Sequence, residues 1–191
     1  FGNKFIYQLL KHHKLKKIIV FSRDEAKQFK MQSDLANFSN IISYVLGDIR
    51  DYNRLSEVME GVDYLLHAAA LKQVPAAEHN PTEYIKTNIL GTENIIKAAL
   101  KSKVKSSIML STDKASNPIN LYGATKLVAD KLFISANFNN NNQNSIFSVV
   151  RYGNVAGSRG SIYPFFLDCL KNNKKYFPIT DPDMTRFWIT L

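Results

Sequence analysis

Two side chains suited to proton transfer lie four residues apart in STDKASNPINLYGATK, which spans residues 111–126. Tyr122 and Lys126 fall on one face of a helix at this spacing, so the phenol and the ammonium would be neighbours. A free tyrosine has a pKa near ~10, and an adjacent ammonium favours its phenolate form. Closing a three-unit gap to neutral pH takes about 4 kcal/mol, more than one solvated pair provides. The pair is therefore a candidate general base that needs help from its surroundings.

A second pair of ionisable side chains, Asp113 and Lys114, lies just ahead of the first. Each pair has an ordinary explanation when taken alone. Tyr122 could pack a helix beside a surface Lys126. Asp113 could cap a loop beside a solvated Lys114. Both pairs, however, fall where a strand ends and a helix begins, which is the edge at which open α/β folds bind their ligands. The run is therefore predicted to hold two acid/base couples.

The elements that would position these side chains alternate along the chain. We predict strands at 16–22, 42–48, 63–70, 106–112 and 145–154, and helices at 5–12, 24–36, 51–60, 81–100, 121–137 and 162–173. Apolar strands separated by helices favour a parallel sheet covered on both faces, in an α/β fold of the doubly wound, Rossmann-like type. The chain opens on a helix, so we expect the first strand and glycine loop of such a fold to precede it, with Gly2 as the last glycine of that loop. The asparagine-rich stretch 137–144 is assigned no function.

Composition and charge narrow the class of protein. The 191 residues are 45% hydrophobic and carry a net charge of +9, but the basic residues are scattered and no aromatic–basic stripe accompanies them. We therefore expect an anionic small molecule as the partner and no nucleic acid. Cys169, the single cysteine, is expected to be a buried filler in a reducing compartment. No apolar run reaches the ~20 residues of a membrane span and no signal peptide is recognisable, so we expect a soluble, cytoplasmic protein with no membrane or metal partner.

The run YGATK, with STDKA ahead of it, resembles the extended short-chain dehydrogenase/reductases that act on nucleotide sugars. The whole stretch STDKASNPINLYGATKL is similar to the UDP-N-acetylglucosamine 4,6-dehydratases, and the soluble, inverting (5-epimerising) branch fits best. Epimerases of the superfamily usually carry Ser or Thr in place of Asp113-Lys114. Long, membrane-attached dehydratases usually replace the tyrosine, often with methionine. Both features of this chain therefore resemble the soluble dehydratases.

Four further motifs carry the resemblance along the chain. HAAALKQVPAAEHNP (67–81) is similar to the segment after the family's fourth strand, where Ala68, Ala69 and Ala70 would let backbone approach the cofactor. TNILGTEN (87–94) matches a helix in which Asn88 would be architectural. RYGNVAGSRGS (151–161) and PITDPDMTRFWITL (178–191) are similar to the substrate loop and the start of the substrate lobe, where arginine suits phosphate oxygens. The substrate contacts implied by the resemblance are Lys72, Asn154, Arg159, Thr185 and Arg186.

The end of the second strand of such a fold indicates which dinucleotide is bound. An NAD enzyme is expected to carry Asp or Glu about 20 residues past the glycine loop. Ser22-Arg23 stands there instead and can neutralise a 2′-phosphate, so NADP is favoured, while the following Asp24 keeps NAD possible. Asp48-Ile49-Arg50 resembles the adenine-side motif, with Asp48 accepting from the adenine amino group; a helix N-cap region is the alternative. The cofactor contacts so predicted are Gly2, Ser22, Arg23, Asp48, Ile49, Arg50, Ala68, Ala69, Ala70, Lys72, Tyr122 and Lys126.

The resemblance implies a role for each member of the two couples. Tyr122, assisted by Lys126, would take the proton of the sugar 4-hydroxyl while hydride passes from C4 to NADP. A bound nicotinamide ring and partial burial would supply the rest of the phenol's activation. Thr112 would hydrogen-bond the 4-oxygen. Lys114 would remove the C5 proton and Asp113 would help expel the 6-hydroxyl as water, before hydride returns to C6 and C5 is inverted.

The resemblance also implies an organisation for the whole protein. Residues 1–155 would form an NADP-binding domain and 156–191 the start of a substrate lobe, in a protein that forms a homo-oligomer at full length. Its UDP-sugar product would serve surface-glycan synthesis of the pseudaminic acid type, and without the glycine loop the chain itself is expected to be inactive. A nucleotide-sugar 4-epimerase and a retaining 4,6-dehydratase remain alternatives. So does a non-catalytic NADP-binding module, although such a module would not need all four ionisable side chains.

Overall fold

The computed structural model of the chain describes residues 1–138, 145–158, 161–179 and 181–190. Its helices are α1 (Gly2–His12), α2 (Glu25–Asp34), α3 (Tyr52–Val58), α4 (Val74–His79), α5 (Pro81–Tyr84), α6 (Gly91–Lys101), α7 (Leu121–Ser135) and α8 (Ile162–Lys171). Its strands are β1 (Ile18–Ser22), β2 (Ile42–Leu46), β3 (Tyr64–His67), β4 (Ser106–Thr112), β5 (Ile146–Tyr152), β6 (Asn154–Val155) and β7 (Trp188–Ile189). A π-helical segment, Ile85–Leu90, joins α5 to α6, and 3-10 turns occupy Ala36–Phe38 and Asp113–Ala115.

All paired strands run parallel. β1 pairs with β2, β3, β4 and β5 form a three-stranded sheet, and β6 pairs with β7. The β4–β5 register runs from Ser106 opposite Ile146 to Thr112 opposite Tyr152. The predicted α/β class with parallel strands is confirmed, but the single sheet we expected is divided. Within the described residues no ladder of hydrogen bonds joins the β1–β2 pair to the β3–β5 sheet.

Two apolar clusters hold the helices against these sheets. The larger lies between the β3–β5 sheet and helices α3, α6 and α7, and its centre is an edge-to-face contact of Phe133 with Phe147 at 5.2 Å between ring centroids. Its buried members are Ile49, Leu55, Met59, Ile95, Ile96, Ala98, Ala99, Val104, Met109, Ala129, Phe133, Ala136 and Phe147. The smaller cluster joins α1 and α2 to β2 through Ile6, Met31, Leu35 and Ile42. Burial of apolar surface, at roughly 25 cal/mol per Å², is the main favourable contribution to this packing.

The helix predicted at 81–100 is interrupted. Its middle third is the π-helical segment Ile85–Leu90, and the short helix α4 ahead of it was not predicted. The wider π turn lets Asn88 point inward, where its amide accepts from the Leu71 N–H and donates to the Leu71 carbonyl, each at 2.9 Å. The same amide donates to the Thr125 hydroxyl at 3.1 Å. Tertiary contacts therefore decide this segment, because a sequence periodicity does not distinguish one π turn from regular helix.

Other element boundaries differ by a few residues from those predicted. The strand predicted at 63–70 ends at His67, so Ala68–Ala70 lie in the loop that follows it. The strand predicted at 145–154 ends at Tyr152, and the separate strand β6 begins at Asn154. The remaining predicted helices and strands are present with their ends moved by one to three residues. Strand β4 has the predicted bounds.

The strand pair β6–β7 brings two distant parts of the chain together. Asn154 N–H donates to the Phe187 carbonyl at 2.7 Å, and the strands lie side by side from Asn154 opposite Trp188. Gly153 permits this, because a Cβ there would stand 2.4 Å from the Phe187 carbonyl oxygen. Strand β7 was not predicted, since two residues give no periodic signal. The predicted burial of Cys169 is confirmed.

No helix of the described residues combines the length and the apolar character that crossing a membrane requires.

Candidate active site

Helix α7 begins with the tyrosine–lysine pair. The Asn120 side chain caps this helix by accepting from the Gly123 N–H at 2.9 Å, which fixes where the helix starts. Tyr122 is half-buried in the first turn, and Lys126 follows one turn later with only 3% of its surface exposed. The Lys126 ammonium donates to the Leu110 carbonyl of β4 at 2.9 Å. Lys126 is therefore not the solvated surface lysine of the ordinary explanation.

Burial dominates the acid–base properties of this pair. It lowers the pKa of Lys126 to about 8, although the carboxylate of Asp130 works against the shift. It raises the pKa of Tyr122 to about 12; a hydrogen bond with Thr112 lowers that pKa, and Tyr152, Asp113 and Asp130 raise it further. The expectation that partial burial helps to activate the phenol is therefore wrong in sign, because a buried phenolate loses solvation. Activation has to come from cationic groups and hydrogen bonds.

The second pair lies in the 3-10 turn that follows β4. Lys114 Nζ donates to Asp113 Oδ1 at 3.1 Å and to Asn154 Oδ1 at 3.2 Å. The Lys114 backbone N–H also donates to Asp113 Oδ1, at 3.0 Å. Burial alone would raise the pKa of Asp113, but the hydrogen bonds from Lys114 and Thr112 outweigh it and lower that pKa. The two side chains thus form an ion pair held on strand β6 by Asn154.

Thr112 lies between the two pairs. Its hydroxyl donates to Asp113 Oδ1 at 2.9 Å, and it is also close enough to Tyr122 to lower the pKa of that phenol. It also accepts from the Lys114 backbone N–H at 3.3 Å, so its orientation is fixed by the turn. The phenol of one pair and the carboxylate of the other therefore share one hydroxyl as a neighbour.

Gly123 brings the start of helix α7 against the turn that carries Lys114. A Cβ at position 123 would stand 2.4 Å from the Lys114 carbonyl oxygen and 3.1 Å from the Pro118 side chain. No side chain fits in that space, so glycine is required for the helix to approach so closely. The structure therefore brings Thr112, both members of the Asp113–Lys114 pair and both members of the Tyr122–Lys126 pair into one group.

The structure describes four of the five predicted substrate residues. Asn154 contacts the Lys114 ammonium, as described above. Thr185 and Arg186 are exposed and precede β7, so the β6–β7 pairing places them on the chain segment beside Asn154; the Arg186 guanidinium donates to the Thr185 carbonyl at 2.8 Å. Arg159 lies outside the described residues, and Lys72 is exposed after the three alanines.

The predicted adenine-side residues form a charged group after β1 and β2. Arg50 donates from Nε and Nη2 to Asp48 Oδ2 at 3.0 and 2.8 Å, and Arg23 Nη1 approaches the same oxygen at 3.4 Å. Burial raises the pKa of Asp48, but the hydrogen bonds and charge of Arg50, followed by the charge of Arg23, lower it overall. Asp51, not Asp48, is the N-cap of α3. Residues 48–50 lead directly into that cap, so the alternative of a helix N-cap region stays open.

The other predicted cofactor residues differ from one another in burial and in their contacts. The Ile49 side chain is buried in the larger core cluster, so only its backbone can face a ligand. Ser22 Oγ accepts from the Asp24 N–H at 3.2 Å and so organises the start of α2. Ala68–Ala70 are exposed directly after β3, and Gly2 is exposed in the first turn of α1. Gly2 and Ala68–Ala70 therefore offer open backbone without large side chains.

Sequence reasoning missed three side chains behind the Tyr122–Lys126 pair, namely Asp130, Arg151 and His67. Asp130 lies one turn beyond Lys126 and is 4% exposed, and Arg151 Nε donates to its Oδ2 at 2.8 Å. A signal was present, because Tyr122, Lys126 and Asp130 continue the same four-residue spacing. His67, buried at the end of β3, donates or accepts at 3.1 Å with the Thr92 hydroxyl, and burial together with the charge of Lys126 lowers its pKa to about 3.

Sequence comparison relates the whole chain to known proteins. The polysaccharide biosynthesis protein family matches residues 1–191. A UDP-N-acetylglucosamine 4,6-dehydratase (inverting) of Campylobacter jejuni subsp. jejuni is 56% identical over 191 residues, which are 100% of this chain and 57% of the relative. A UDP-glucose 4-epimerase of Rickettsia bellii is 47% identical over 194 residues, covering 100% of this chain and 56% of that protein. The chain thus spans little more than half the length of the curated relatives it matches.

Structure comparison agrees on the fold. Pen from Bacillus thuringiensis superposes with a TM-score of 0.94 at 43% identity, over 99% of this chain and 58% of the other. DesIV, a dTDP-glucose 4,6-dehydratase from Streptomyces venezuelae whose structure holds NAD, superposes with a TM-score of 0.83 at 21% identity, over 99% and 64% of the two chains. The Rossmann-like fold predicted from the sequence is therefore confirmed.

Proposed function

The chain belongs to the polysaccharide biosynthesis protein family, and we propose that the protein is a UDP-N-acetylglucosamine 4,6-dehydratase that inverts C5. The relative of that activity at 56% identity supports this proposal. The observation that carries it is the close approach of the two acid/base pairs, with the start of α7 against the Lys114 carbonyl at Gly123 and the Thr112 hydroxyl bound to Asp113 beside Tyr122. Oxidation at C4 needs one proton acceptor, and elimination across C5 and C6 needs a further base and acid.

The first pair serves the 4-hydroxyl. Tyr122 accepts its proton, and the Lys126 ammonium one turn away stabilises the phenolate that this step requires. Thr112, whose hydroxyl lies beside Tyr122, keeps the 4-oxygen within reach of the phenol. Because burial raises the pKa of Tyr122 to about 12, the phenol depends on these two neighbours and on the charge of a bound nicotinamide ring.

The second pair serves C5 and C6. At rest it is an ion pair, with the proton on Lys114 and the charge on Asp113. Moving that proton along the 3.1 Å hydrogen bond gives a neutral amine and a carboxylic acid, which are the forms that elimination needs. Lys114 then takes the C5 proton and Asp113 gives its proton to the departing 6-hydroxyl, which restores the ion pair. Once hydride has been returned to C6, a proton from solvent would reach C5 from the opposite face and give the inverted product. Asn154 holds the amine in place through these changes.

The residues present fit a dinucleotide cofactor, and we propose NADP. Small exposed alanines after β3 and the arginines after β1 and β2 provide open backbone and positive charge. Arg23 is half-exposed and approaches Asp48 by only one nitrogen at 3.4 Å, so its guanidinium can turn toward a 2′-phosphate. Bound NADP would accept the C4 hydride and return it to C6. Measuring the affinities of the full-length protein and of Arg23→Gln for NADP and NAD tests this, because only NADP affinity should fall.

Product analysis tests the proposed reaction. The full-length protein, incubated with UDP-N-acetylglucosamine and NADP, should release a UDP-sugar lighter by one water in mass spectrometry. In deuterium oxide that product should carry deuterium at C5, and NMR should show the inverted configuration. A product of unchanged mass with the 4-hydroxyl inverted would overturn the proposal.

That second outcome describes the competing function, a nucleotide-sugar 4-epimerase. The relative named UDP-glucose 4-epimerase, at 47% identity, favours it specifically. A 4-epimerase would use Tyr122 and Lys126 but would give Asp113 and Lys114 no proton to move. Retention of configuration at C5 in a dehydrated product would instead identify a retaining dehydratase.

The division of the chain into two domains remains part of the proposal. Residues 1–155 would hold the cofactor and 156–191 would begin the substrate lobe. The β6–β7 ladder pairs Asn154 and Val155 of the first part with Trp188 and Ile189 of the second, so it would lie where the two domains meet. A UDP-sugar as the partner follows from the proposed reaction.

A further inference from the structure

Helix α7 carries a third ionisable side chain in line with its proton-handling pair. Tyr122, Lys126 and Asp130 are spaced by four residues each and therefore share one helix face. We propose that Asp130 is a positioning residue for the proposed reaction: its carboxylate, oriented by Arg151, holds Lys126 in the ammonium form that Tyr122 needs. This inference rests on the proposed function, because it assigns a supporting group to the same pair.

Only one of the two carboxylate oxygens of Asp130 is hydrogen-bonded to Arg151. Arg151 Nε donates to Oδ2 at 2.8 Å, whereas Oδ1 is buried and has no hydrogen-bond partner among the described residues. A buried carboxylate oxygen without a partner is costly unless a cation lies close enough to interact with it. The neighbouring cation one turn along this face is the Lys126 ammonium, itself buried.

The titratable groups around Lys126 show how Asp130 affects the protonation of that lysine. Lys126 is faced by the buried His67 from β3 and by Asp130 from its own helix. Burial lowers the pKa of Lys126 to about 8, and Asp130 is the group that opposes this shift. With Asp130, Lys126 largely keeps its proton at neutral pH; without it, the pKa would fall further and the ammonium would be less populated.

The same carboxylate also acts on the phenol, where its effect is unfavourable. Tyr122 is faced by the Thr112 hydroxyl, by Tyr152 from β5, by Asp113 from the turn and by Asp130, and the last three raise its pKa. Arg151 limits this cost, because its guanidinium binds one carboxylate oxygen. The Asp130 carboxylate therefore stabilises the Lys126 ammonium, and its unfavourable effect on the Tyr122 phenolate is the accompanying cost.

A purely mechanical role is the competing explanation. Arg151 Nη1 also donates to Ser116 Oγ at 3.4 Å, so Arg151 connects α7 to the segment that follows the Asp113–Lys114 turn. In that case Asp130 would only brace the helix. The two roles differ in whether the charge of Asp130 changes the protonation of Lys126.

An NMR titration of the full-length protein, labelled at lysine Cε, separates the two roles without requiring turnover. The Lys126 signal is identified by its loss in Lys126→Arg. In Asp130→Asn, which keeps the size of the side chain, the Lys126 midpoint should move down by about one pH unit. Glu57→Gln removes an exposed carboxylate on α3 that pairs with Arg54, and it should leave the midpoint unchanged. Arg151→Lys keeps a cation but breaks the Ser116 contact, and it too should leave the midpoint close to that of the wild type.

Activity provides a second measurement. The alkaline limb of the pH–rate profile should move down with the Lys126 midpoint in Asp130→Asn and stay in place in Glu57→Gln. If Asp130→Asn does not fold, the double variant Asp130→Asn with Arg151→Gln replaces the ion pair by two amides and should show the same lowered midpoint. An unchanged Lys126 midpoint in either folded variant, or an equal shift in Glu57→Gln, overturns the inference. If the product is not a dehydrated sugar but the midpoint moves, the proposed function fails and the link between Asp130 and Lys126 stands.

Discussion

Among single side chains, Lys114 has the proposed role that can be tested most directly. Replacing Lys114 with Ala in the full-length protein removes the proposed C5 base while leaving Tyr122 and Lys126 in place. Exchange of the C5 proton with deuterium oxide, followed by NMR, should then fall by about 100-fold or more. Lys131→Ala removes an exposed lysine from α7 and should leave the exchange rate unchanged. Undiminished exchange in Lys114→Ala would show that another group is the base.

Burial of Lys126 predicts a pH dependence of stability. Its pKa is about 8 in the folded chain and 10.5 when exposed, so between these values the unfolded state binds the proton and the folded state does not. Stability therefore rises with pH across this window. Relative to Lys126→Met, the free energy of unfolding of the wild type should increase by about 3 kcal/mol from pH 8 to pH 10.5. Urea titrations at several pH values measure this difference, and a constant difference would contradict the burial of a titrating ammonium.

The sequence identified the chemical groups better than their environments. Tyr122 and Lys126 followed from a four-residue spacing, and the Asp113–Lys114 contact followed from adjacency. The burial of Lys126 did not, because a lysine is usually exposed and its depth depends on β4 and β3 packing against α7. Asp130 was missed for the same reason: a carboxylate eight residues past a tyrosine is ordinary until the structure shows it buried beside Arg151.

At the scale of the elements, the approach of helix α7 to the turn after β4 sets the distance between the two pairs. Gly123→Ala places a methyl group 2.4 Å from the Lys114 carbonyl oxygen, so either the helix or the turn has to move. We expect a loss of at least about 100-fold in dehydration rate, since small misplacements of reacting groups have effects of that size.

Gly61→Ala is the control for this variant. Gly61 has a positive φ of 73° and open space around its Cα, so alanine strains the backbone without a clash. It should destabilise the protein by about 1–2 kcal/mol and leave the dehydration rate intact. Equal rate losses in the two variants would mean that general destabilisation, and not displacement of Lys114, explains the Gly123 result.

The π-helical segment gives a second prediction at this scale. Asn88→Ala leaves both backbone groups of Leu71 without their side-chain partner, so the free energy of unfolding should fall by about 2 kcal/mol or more. Asn94→Ala, on the following turn, removes hydrogen bonds to the Ile49 and Arg50 carbonyls at a less buried position and should cost less. Thermal or urea unfolding measures both. A smaller loss in Asn88→Ala than in Asn94→Ala would contradict the role of Asn88 as the anchor of the loop after β3.

Elements with a strong local signal were predicted and those formed by tertiary contacts were not. β4 has an apolar centre, Ile108–Leu110, with Ser or Thr on both sides, and its bounds were predicted to the residue. The π turn and the β6–β7 pair have no such signal. They exist because Asn88 finds Leu71 and because Gly153 admits the Phe187 carbonyl, and neither contact can be inferred from residues that are near in sequence.

For the molecule as a whole, stability should be unevenly distributed. The larger core cluster lies on β4, β5, α6 and α7, whereas Cys169 is the one fully buried apolar side chain in the described residues 161–179 and 181–190. Amides of β4 and β5 should therefore exchange with deuterium at least about 100-fold more slowly than those of α8 and β7. Hydrogen-exchange mass spectrometry of this 191-residue chain measures the difference. Equal protection of the two regions would contradict the inferred distribution of packing.

The glycine at position 123 also restricts how such a protein can change through mutation. Every substitution there adds atoms, so no amino-acid replacement at this position can fine-tune the spacing of the two pairs. A different spacing would require an insertion or deletion in the segment between Lys114 and Asn120, which would move both pairs relative to the sheet at once. The spacing is therefore expected to persist through long divergence and then to change abruptly by a change in loop length, and not by a series of small steps.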